Sequence, residues 1–333
     1  MDAVQALREI AFLLERADAP TYRVRAFRNA AAAAEQRADL ERRAAEGTLT
    51  RLAGIGGTTA GVIEQALRGT VPDYLQQLRE QRTDDAGPGK ALRRALRGDC
   101  HTHSEWSDGA APIAEMAAAA AWLGHEWVAL TDHSPRLTVA HGLSAARLRE
   151  QLDLIAGINR DLAPFRVLTG IEVDILDDGS LDQDEDLLAE LDLVVASVHS
   201  RLRMDAQPMT RRICAAVANP HVDVLGHCTG RRLGTRPRPQ SAFDAAAVFT
   251  ACRNHGVAVE INSRPDRLDP PRGLIRLAAD LGCSFTVDSD AHAPGQLDWL
   301  AHGCRRAAEC DLQPEQIRNT GTAEQLLART ARH

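Results

Sequence analysis

The 333-residue sequence has no apolar run long enough to cross a membrane and almost no lysine. A membrane-spanning helix needs roughly 18 consecutive apolar residues, and the first residues lack the basic-then-apolar pattern of a secretion signal. We therefore expect a cytoplasmic protein that makes no membrane contact. Lys90 is the only lysine, so chemistry that needs a lysine amine as the nucleophile is not expected from the residues before it.

Cysteine pairs at metal-binding or redox spacing are also missing. The seven cysteines are odd in number, form no C-x-x-C pair and lie mostly inside apolar runs. Buried, reduced thiols have this distribution, whereas the cysteines of small secreted domains form disulfide frameworks. The cysteines therefore agree with a location in the cytosol and predict no thiol chemistry.

What the sequence does have is a mildly basic stretch, residues 1–97, which includes a helical region and is followed by an acidic α/β region. Residues 1–97 hold sixteen basic and thirteen acidic side chains, and the rest of the chain carries the negative balance. Residues 1–81 show apolar side chains at helical spacing, and residues 82–97 have the Gly-Pro composition of a linker. Strand and helix patterns alternate over residues 98–333, which predicts a parallel sheet; seven strand–helix units fit a barrel better than an open sheet. The strands are expected to begin near Gly98, Trp127, Arg166, Leu191, Val222, Val257 and Ser284. The expected helices are Ile113–Leu123, Ala145–Leu162, Asp184–Glu190, Met209–Ala218, Phe243–His255, Gly273–Leu281 and, at the end of the chain, Pro314–Leu327.

The basic region contains a glycine-rich turn between two short helical patterns. Glycines permit a tight turn and direct amide hydrogens toward a phosphate, with the N-terminus of the next helix behind them. Leu52, Ala60 and Ile63 supply an apolar face on the flanking helices. The pattern predicts a helix-hairpin-helix that contacts the DNA backbone; the alternative is a packing hairpin that contacts no ligand. The residues of the turn are Gly54, Ile55, Gly56 and Gly57.

Histidines and carboxylates cluster at the C-terminal ends of the predicted strands. Parallel barrel strands end at one mouth, so these side chains are expected to meet there and bind metal. One strand-end histidine is more often structural, but so many titratable groups without cations would be desolvated and poorly paired. Of the adjacent Asp132 and His133, which point apart, we choose His133. The candidate ligands are His101, His103, Asp108, His133, Glu172, His199, His227, Asp290 and His292.

These motifs resemble, in order and spacing, those of the polymerase-and-histidinol-phosphatase (PHP) family. The resemblance covers about residues 98 to 293 and implies an α/β fold, a distorted (β/α)7 TIM-like barrel with three metal ions. The matching motifs are His101-Thr-His103-Ser, Ser107-Asp108-Gly109, Thr131-Asp-His133, Gly170-Ile-Glu172-Val-Asp, Ser197-Val-His199, Gly226-His227 and Asp288-Ser-Asp290-Ala-His292.

The resemblance also assigns ligands to each ion. It implies a first ion held by His101, His103, Glu172 and Asp290, a second held by Asp108, His133 and His292, and a third held by His199, His227 and the bridging Glu172. Asp108 stands where some members of the family have histidine, which favours harder cations than Zn²⁺ at that position. We therefore expect two or three divalent metals, Zn²⁺, Mn²⁺ or Fe²⁺, and their identity stays open.

A more specific resemblance is to bacterial family X DNA polymerases, whose C-terminal domain is a PHP barrel. The linker of residues 82–97 is too short for a polymerase core, so polymerisation is not expected. Lyase action at an abasic sugar needs a lysine amine, and no lysine precedes Lys90, so it is not expected either. The resembling segments are Gly170–Asp182, Gly226–Arg231, Pro265–Asp269, Tyr22–Arg28 and Leu52–Gly56.

The sequence therefore predicts a hydrolase that acts on phosphoesters, because closely spaced cations suit that reaction. Our preferred hypothesis is a DNA-repair type 3′-5′ exonuclease whose N-terminal domain binds gapped or 3′-ended DNA; any protein partner stays unknown. Glu172 would hold the cluster together, and Arg231 and Arg267 would either grip phosphate oxygens or form surface salt bridges. The alternatives are a small-molecule phosphatase of histidinol-phosphatase type and a non-catalytic DNA-binding adaptor.

Overall fold

The fold follows the division seen in the sequence. A computed structural model describes residues 1–81 and 86–330, which form two compact units, one before and one after the undescribed residues 82–85. No helix within these described ranges is long and apolar enough to cross a membrane. Each unit has its own buried apolar core.

The first unit is helical because its apolar residues recur every three or four positions. Leu7, Ile10 and Leu14 of the first helix are almost completely buried, and their spacing places them on one face. The side chain of Asp2 accepts the amide hydrogen of Gln5 and so caps this helix. The α-helices within residues 1–81 are α1 (Ala3–Arg16), α2 (Thr21–Glu35), α3 (Leu40–Ala45), α4 (Gly57–Leu67) and α5 (Asp73–Gln81).

Seven parallel strands form the sheet of the second unit as described, and each pairs with the next one in chain order. Their buried apolar runs are typical of a parallel sheet covered by helices. This confirms the predicted seven-stranded α/β barrel. The strands are β1 (Gly98–Thr102), β2 (Trp127–Leu130), β3 (Arg166–Asp174), β4 (Leu193–Ser197), β5 (Val224–Leu225), β6 (Ala258–Asn262) and β7 (Phe285–Asp288).

Helices connect the strands and cover the sheet, so that the C-terminal ends of all strands meet at one mouth. Their bounds lie within a few residues of the helical stretches predicted between the strands. The α-helices described after residue 85 are α6 (Lys90–Ala95), α7 (Ile113–Trp122), α8 (Ala145–Leu162), α9 (Glu185–Leu188), α10 (Ala206–Val217), α11 (Ala245–Asn254), α12 (Arg272–Asp280), α13 (Leu300–Ala308) and α14 (Ala323–Thr330).

The barrel closes between β1 and β7, where side chains replace part of the missing strand ladder. At the mouth, the amide of His103 donates to the carbonyl of Ala291 over 2.8 Å. Toward the other end, the buried Asn319 donates to the carbonyls of Gly98 and Val287, over 3.0 and 2.7 Å, and accepts from the amide of Val287 over 3.1 Å. Asn319 thus satisfies backbone groups that a strand pair would otherwise use.

Two expectations about irregular segments need correction. Part of the expected linker 82–97 is folded: α6 packs on α13, and Leu92 and Leu96 are buried because their side chains join the barrel core. Residues 82–85 lie outside the described residues. The helix expected at 314–327 begins only at Ala323, since the preceding residues form two short 3₁₀ turns that direct Asn319 into the barrel.

Candidate metal centre

Glu172 lies at the centre of the barrel mouth and contacts histidines with both carboxylate oxygens. Its Oε2 lies 2.8 Å from Nδ1 of His133 and 3.3 Å from Nε2 of His101. Its Oε1 lies 2.8 Å from Nε2 of His227 and 3.3 Å from Nε2 of His199. Glu172 is 1% exposed, so bulk water cannot solvate its carboxylate. Because both of its oxygens face imidazole nitrogens, the carboxylate could be shared between cations.

The remaining predicted ligands extend the cluster toward β1 and β7. Nε2 of His103 lies 3.5 Å from Oδ1 of Asp290. Oδ1 of Asp108 lies 3.5 Å from Nε2 of His133 and 3.3 Å from Nε2 of His292. All nine sequence-predicted ligands thus converge. Sets of ligand atoms within 4.8 Å of one another are His103, Asp108, His133 and His292; His101, His103 and Asp290; His101, Glu172 and His227; and His133, Glu172 and His199.

The hydrogen bonding of the cluster fits bound cations. Within the described parts of the chain, both ring nitrogens of His103 and of His199 and Oε2 of Glu172 are buried, and none of these atoms has a partner in hydrogen-bonding geometry. Buried polar atoms in proteins are almost always satisfied, so orphaned ones point to an ion or a water. A set of imidazole and carboxylate donors without thiolate suits Zn²⁺, Mn²⁺ or Fe²⁺. The residues present therefore fit the expected metals.

Burial and neighbouring charges shift the pKa values of the cluster's histidines in opposite directions. Burial lowers the pKa of His103 well below its usual value, and the rings of His292 and His133 lower it further. Burial also lowers the pKa of His199, but the carboxylates of Glu172 and Asp174 outweigh it and raise this pKa to about 9. Without cations, protons compensate the carboxylates. Cations can take the place of these protons, because imidazole binds metal in its neutral form.

Glu260 contacts two of the candidate ligands, and the sequence reasoning did not identify it. One oxygen of this fully buried carboxylate lies 2.6 Å from Nδ1 of His101, and the other accepts the backbone amide of His227. A carboxylate behind a metal-binding histidine fixes the orientation of the ring and its tautomer. The available signal was a charged residue within the apolar strand Val257-Ala-Val-Glu260-Ile, but no strand-end motif includes it.

Asp132 is turned away from the cluster, as adjacent side chains on a strand require. Its carboxylate accepts hydrogen bonds from the hydroxyls of Ser104 and Ser107, over 2.6 and 2.5 Å, and from the amide of Gln151 over 2.7 Å. These bonds fix the loop after β1, which carries Asp108. Asp132 therefore positions this loop, while His133 contacts the cluster.

Asp290 is held by arginines on the loop after β6. Its backbone has a φ of 52°, a left-handed conformation that is uncommon outside glycine and is often found at functional sites. Nε of Arg267 lies 3.2 Å from Oδ2 of Asp290, and Nη1 of Arg264 lies 3.6 Å from Oδ1. Arg264 also approaches Nδ1 of His292 to 3.1 Å. Arg267, predicted as a phosphate ligand, thus orients a carboxylate of the cluster, and Arg264 was missed.

Arg231, the second predicted phosphate ligand, is not brought to the cluster. Its guanidinium donates to the backbone carbonyls of Arg267, over 3.0 Å, and of Leu268. A guanidinium committed to two carbonyls holds the loops after β5 and β6 together. The sequence could not distinguish this role from phosphate binding, because both place an arginine near the strand end.

The predicted glycine-rich turn lies directly before α4 in the first unit. Gly54 has a φ of 88°, and a Cβ there would lie 3.2 Å from the carbonyl oxygen of Asn29, so glycine is required. Ile55 is buried, which leaves only its backbone for a ligand. Gly56 and Gly57 are exposed, and nothing would lie within 4 Å of a Cβ on either. The backbone at the start of α4 is therefore exposed at Gly56 and Gly57, where the first amides of a helix have no partner within the helix.

Comparisons with known families match both units. The profile of the PHP domain matches residues 99–264, and the profile of a helix-hairpin-helix domain matches residues 1–70. The first range includes the strand-end histidines from His101 to His227, and the second includes the glycine-rich turn.

Individual relatives agree with these matches. The DNA polymerase/3′-5′ exonuclease PolX of Bacillus subtilis (strain 168) is 40% identical over 212 residues, which are 64% of this chain but only 37% of PolX. A probable phosphatase of Thermoanaerobacter sp. (strain X514) is 31% identical over 206 residues, 58% of this chain and 78% of that protein. A solved histidinol phosphate phosphatase of Lactococcus lactis, in complex with zinc, L-histidinol and phosphate, shares 18% identity at a TM-score of 0.48 and covers 66% of this chain and 95% of that one. On the profile matches and the two sequence relatives, the chain belongs to the PHP family, with a helix-hairpin-helix domain preceding its PHP domain.

Proposed function

We propose that this PHP-domain phosphoesterase hydrolyses phosphodiesters at DNA 3′ ends, with two or three divalent cations held at the barrel mouth. The observation that carries the proposal is Glu172, whose two oxygens contact four histidine rings at 2.8 to 3.3 Å. A buried carboxylate shared in this way is suited to bridging cations. The glycine-rich turn of the same chain supports DNA as the substrate.

The side chains of the centre have different roles in the proposed hydrolysis. Divalent cations supply Lewis acidity, which makes water nucleophilic near neutral pH and offsets the charge of a phosphate. Glu172 holds the ligand sets together, and Glu260 keeps Nε2 of His101 directed toward them. Arg264 adds a positive charge beside Asp290 and His292, where a guanidinium can contact a non-bridging phosphate oxygen.

The helix-hairpin-helix domain supplies the DNA contact in this proposal. The amide of Gly56 is already bonded to the Thr59 hydroxyl over 2.9 Å, whereas α4 begins at the next residue, the exposed Gly57. A helix N-terminus with free amides attracts a phosphate. Gly54, Ile55, Gly56 and Gly57 therefore contribute backbone shape rather than side-chain chemistry.

The relatives support both the preferred function and its main alternative. PolX carries a 3′-5′ exonuclease in its name, and the helix-hairpin-helix match favours a polynucleotide. The proteins named probable phosphatases keep a small-molecule phosphatase as the alternative. A non-catalytic adaptor is disfavoured, because the full set of nine candidate ligands converges.

One assay separates these functions. The full-length chain with Mn²⁺ is given 3′-labelled gapped DNA and, separately, histidinol phosphate. We expect release of labelled nucleotide from the DNA, lost by more than about a hundredfold in Glu172→Gln and retained in Glu150→Gln, which changes an exposed carboxylate on α8. Consumption of histidinol phosphate alone would favour the metabolite phosphatase, and no hydrolysis of either substrate would favour the adaptor.

The DNA contact is tested by two substitutions at one position. Gly57→Asp places a negative charge at the start of α4, and Gly57→Ala fills the same open space without charge. We expect DNA affinity, measured by fluorescence anisotropy, to fall about tenfold in the aspartate variant because it repels the phosphate, and to stay unchanged in the alanine variant. Equal affinities of the two variants would show that this turn is only a packing hairpin.

A further inference from the structure

A narrow, strongly basic hairpin follows the strand that carries His227. Residues 231–238 (Arg-Arg-Leu-Gly-Thr-Arg-Pro-Arg) contain four arginines and no acidic residue; we call this segment the arginine hairpin. The backbones of Arg232 and Arg238 exchange two hydrogen bonds of 2.9 and 3.0 Å. These bonds close the base of the hairpin and leave Arg236 in the connecting loop.

The arginine hairpin is hydrogen-bonded to the loop after β6, which contacts the candidate metal centre. The amide of Leu233 donates to the carbonyl of Asp266 over 2.6 Å, and Nε of Arg231 donates to the carbonyl of Arg267 over 3.0 Å. Arg267 in turn forms the 3.2 Å ion pair with Asp290 of the cluster. A continuous set of contacts thus connects the hairpin to a candidate metal ligand.

The positive charge of this segment is poorly neutralised. Arg232 is exposed and lies 3.9 Å from Asp266, a carboxylate that also pairs with Arg264 over 3.2 Å. Arg236 is exposed and forms no hydrogen bond or ion pair with the described residues. Partial burial and, to a smaller extent, the positive charge of Arg267 lower the pKa of Arg232, so another guanidinium lies near this one. An anion from outside the chain would relieve the repulsion between them.

The two exposed arginines lie at different positions along the arginine hairpin. Arg232 lies at the base of the hairpin and Arg236 in its loop, so the two guanidinium groups can contact successive anions along an extended ligand. The barrel region is acidic as a whole, and a local basic feature beside its mouth would be needed to hold a polyanion there.

We propose that the arginine hairpin binds the phosphate backbone of a single-stranded polynucleotide next to the bond that is hydrolysed. The proposal rests on the proposed phosphodiesterase function and deepens it, because it assigns preference for polynucleotides to the barrel as well as to the helix-hairpin-helix domain. Guanidinium groups bind phosphates in a bidentate manner. The hairpin thereby favours a strand with several phosphates over a single phosphoester.

The test compares long and short substrates with the full-length protein and Mn²⁺. The variant R232A/R236A removes two exposed charges from the hairpin, and the matched control R160A/R211A removes two exposed charges from the helices α8 and α10. The substrates are single-stranded DNA of roughly twelve nucleotides and the one-phosphate diester thymidine 5′-p-nitrophenyl phosphate. Initial rates give kcat/KM at several salt concentrations.

We expect R232A/R236A to lose about tenfold or more in kcat/KM on the oligonucleotide and to keep the rate on the small diester within about twofold. A plot of log(kcat/KM) against log salt has a negative slope, and its steepness should decrease by about 1.4, the value for two lost contacts to a single strand. The control variant should behave as the unmodified chain. An unchanged oligonucleotide rate, or equal losses on both substrates, would overturn the hairpin proposal. Hydrolysis of neither diester by the unmodified chain would instead overturn the proposed function.

Discussion

At the scale of single residues, the centre contains buried carboxylates whose negative charge must be compensated by nearby positive charge. Glu172 is buried among histidine rings, and Asp290 is buried between two arginines. Protons on the rings can compensate the carboxylates in the metal-free protein, and cations can replace those protons. The same residues therefore link metal binding to pH.

The sequence predicted the nine candidate ligands because each lies near a strand end or, for Asp108, in the loop after β1, and the barrel topology brings these positions to one mouth. It did not predict Glu260, Asn262 or Arg264, because the role of each depends on a partner from another strand. Asn262, for example, donates to Asp290 Oδ2 over 3.1 Å. Such cross-strand partners are set by the register of the sheet, and one strand's sequence does not contain that information.

Our first prediction concerns Glu260, which orients the ring of His101. Glu260→Gln keeps the size of the side chain but removes its charge, so the His101 ring loses a strong acceptor. We expect the metal dissociation constant to rise by about 10- to 100-fold, with a smaller effect on kcat at saturating metal. Titration of Mn²⁺ into the activity assay measures both; an unchanged metal dependence would contradict the assigned role.

The second prediction concerns protons released on metal binding. In the metal-free protein, Glu172 and its carboxylate neighbours outweigh burial, keep the pKa of His101 above its usual value and raise that of His199 to about 9. Both rings are therefore protonated near pH 7 and must lose these protons to bind metal. We expect release of about two protons per chain near pH 7, and fewer above pH 9.

Calorimetric titration of Mn²⁺ in buffers of different ionisation enthalpy measures this release. Because protons compete with the cation below these pKa values, apparent metal affinity should rise with pH up to about 9. Metal binding without proton release near neutral pH would mean that His101 and His199 are not ligands.

At the scale of secondary-structure elements, the positions of the strands were predictable and the closure of the barrel was not. Seven apolar runs, six of which end in a histidine or a glutamate, predicted each strand to within a few residues. The C-terminal segment gave a helical pattern from Pro314, but its first half forms 3₁₀ turns. There, buried hydrogen bonds of Asn319 to β1 and β7 outweigh local helix propensity.

The third prediction follows from this closure. Asn319→Ala leaves the backbone groups of Gly98 and Val287 without their buried partner. We expect a loss of about 3 kcal/mol in the free energy of unfolding, measured by urea denaturation. Asn254→Ala, at the exposed end of α11, should change it by less than about 0.5 kcal/mol. Equal losses in both variants would contradict the role of Asn319.

At the scale of the whole molecule, the chain combines a helical unit, in which basic and acidic side chains balance, with an acidic barrel. The sequence showed this division through charge and periodicity, but it placed the start of the barrel at residue 98. The packing of α6 on α13 assigns the preceding residues to the barrel as well. A linker composition rich in Gly and Pro did not reveal this, because Leu92 and Leu96 are buried by distant partners.

The fourth prediction uses this boundary. A chain that begins at residue 86 should keep its rate on thymidine 5′-p-nitrophenyl phosphate but bind gapped DNA at least about tenfold more weakly. A chain that begins at residue 98 also loses Leu92 and Leu96, and its free energy of unfolding should fall by about 4 kcal/mol. Rate, gel-shift and urea measurements check the three properties. Undiminished DNA binding by the chain from residue 86 would contradict the role given to the helix-hairpin-helix domain.

The central claim is that cations sit around Glu172 and carry the hydrolysis. Anomalous X-ray diffraction from crystals of the active, Mn²⁺-loaded protein tests it most directly. The predicted result is two or three anomalous peaks at the barrel mouth, each about 2.0–2.3 Å from imidazole nitrogens or carboxylate oxygens of the nine side chains. Crystals of protein with full phosphodiesterase activity that show no anomalous peak beside Glu172 would contradict the account.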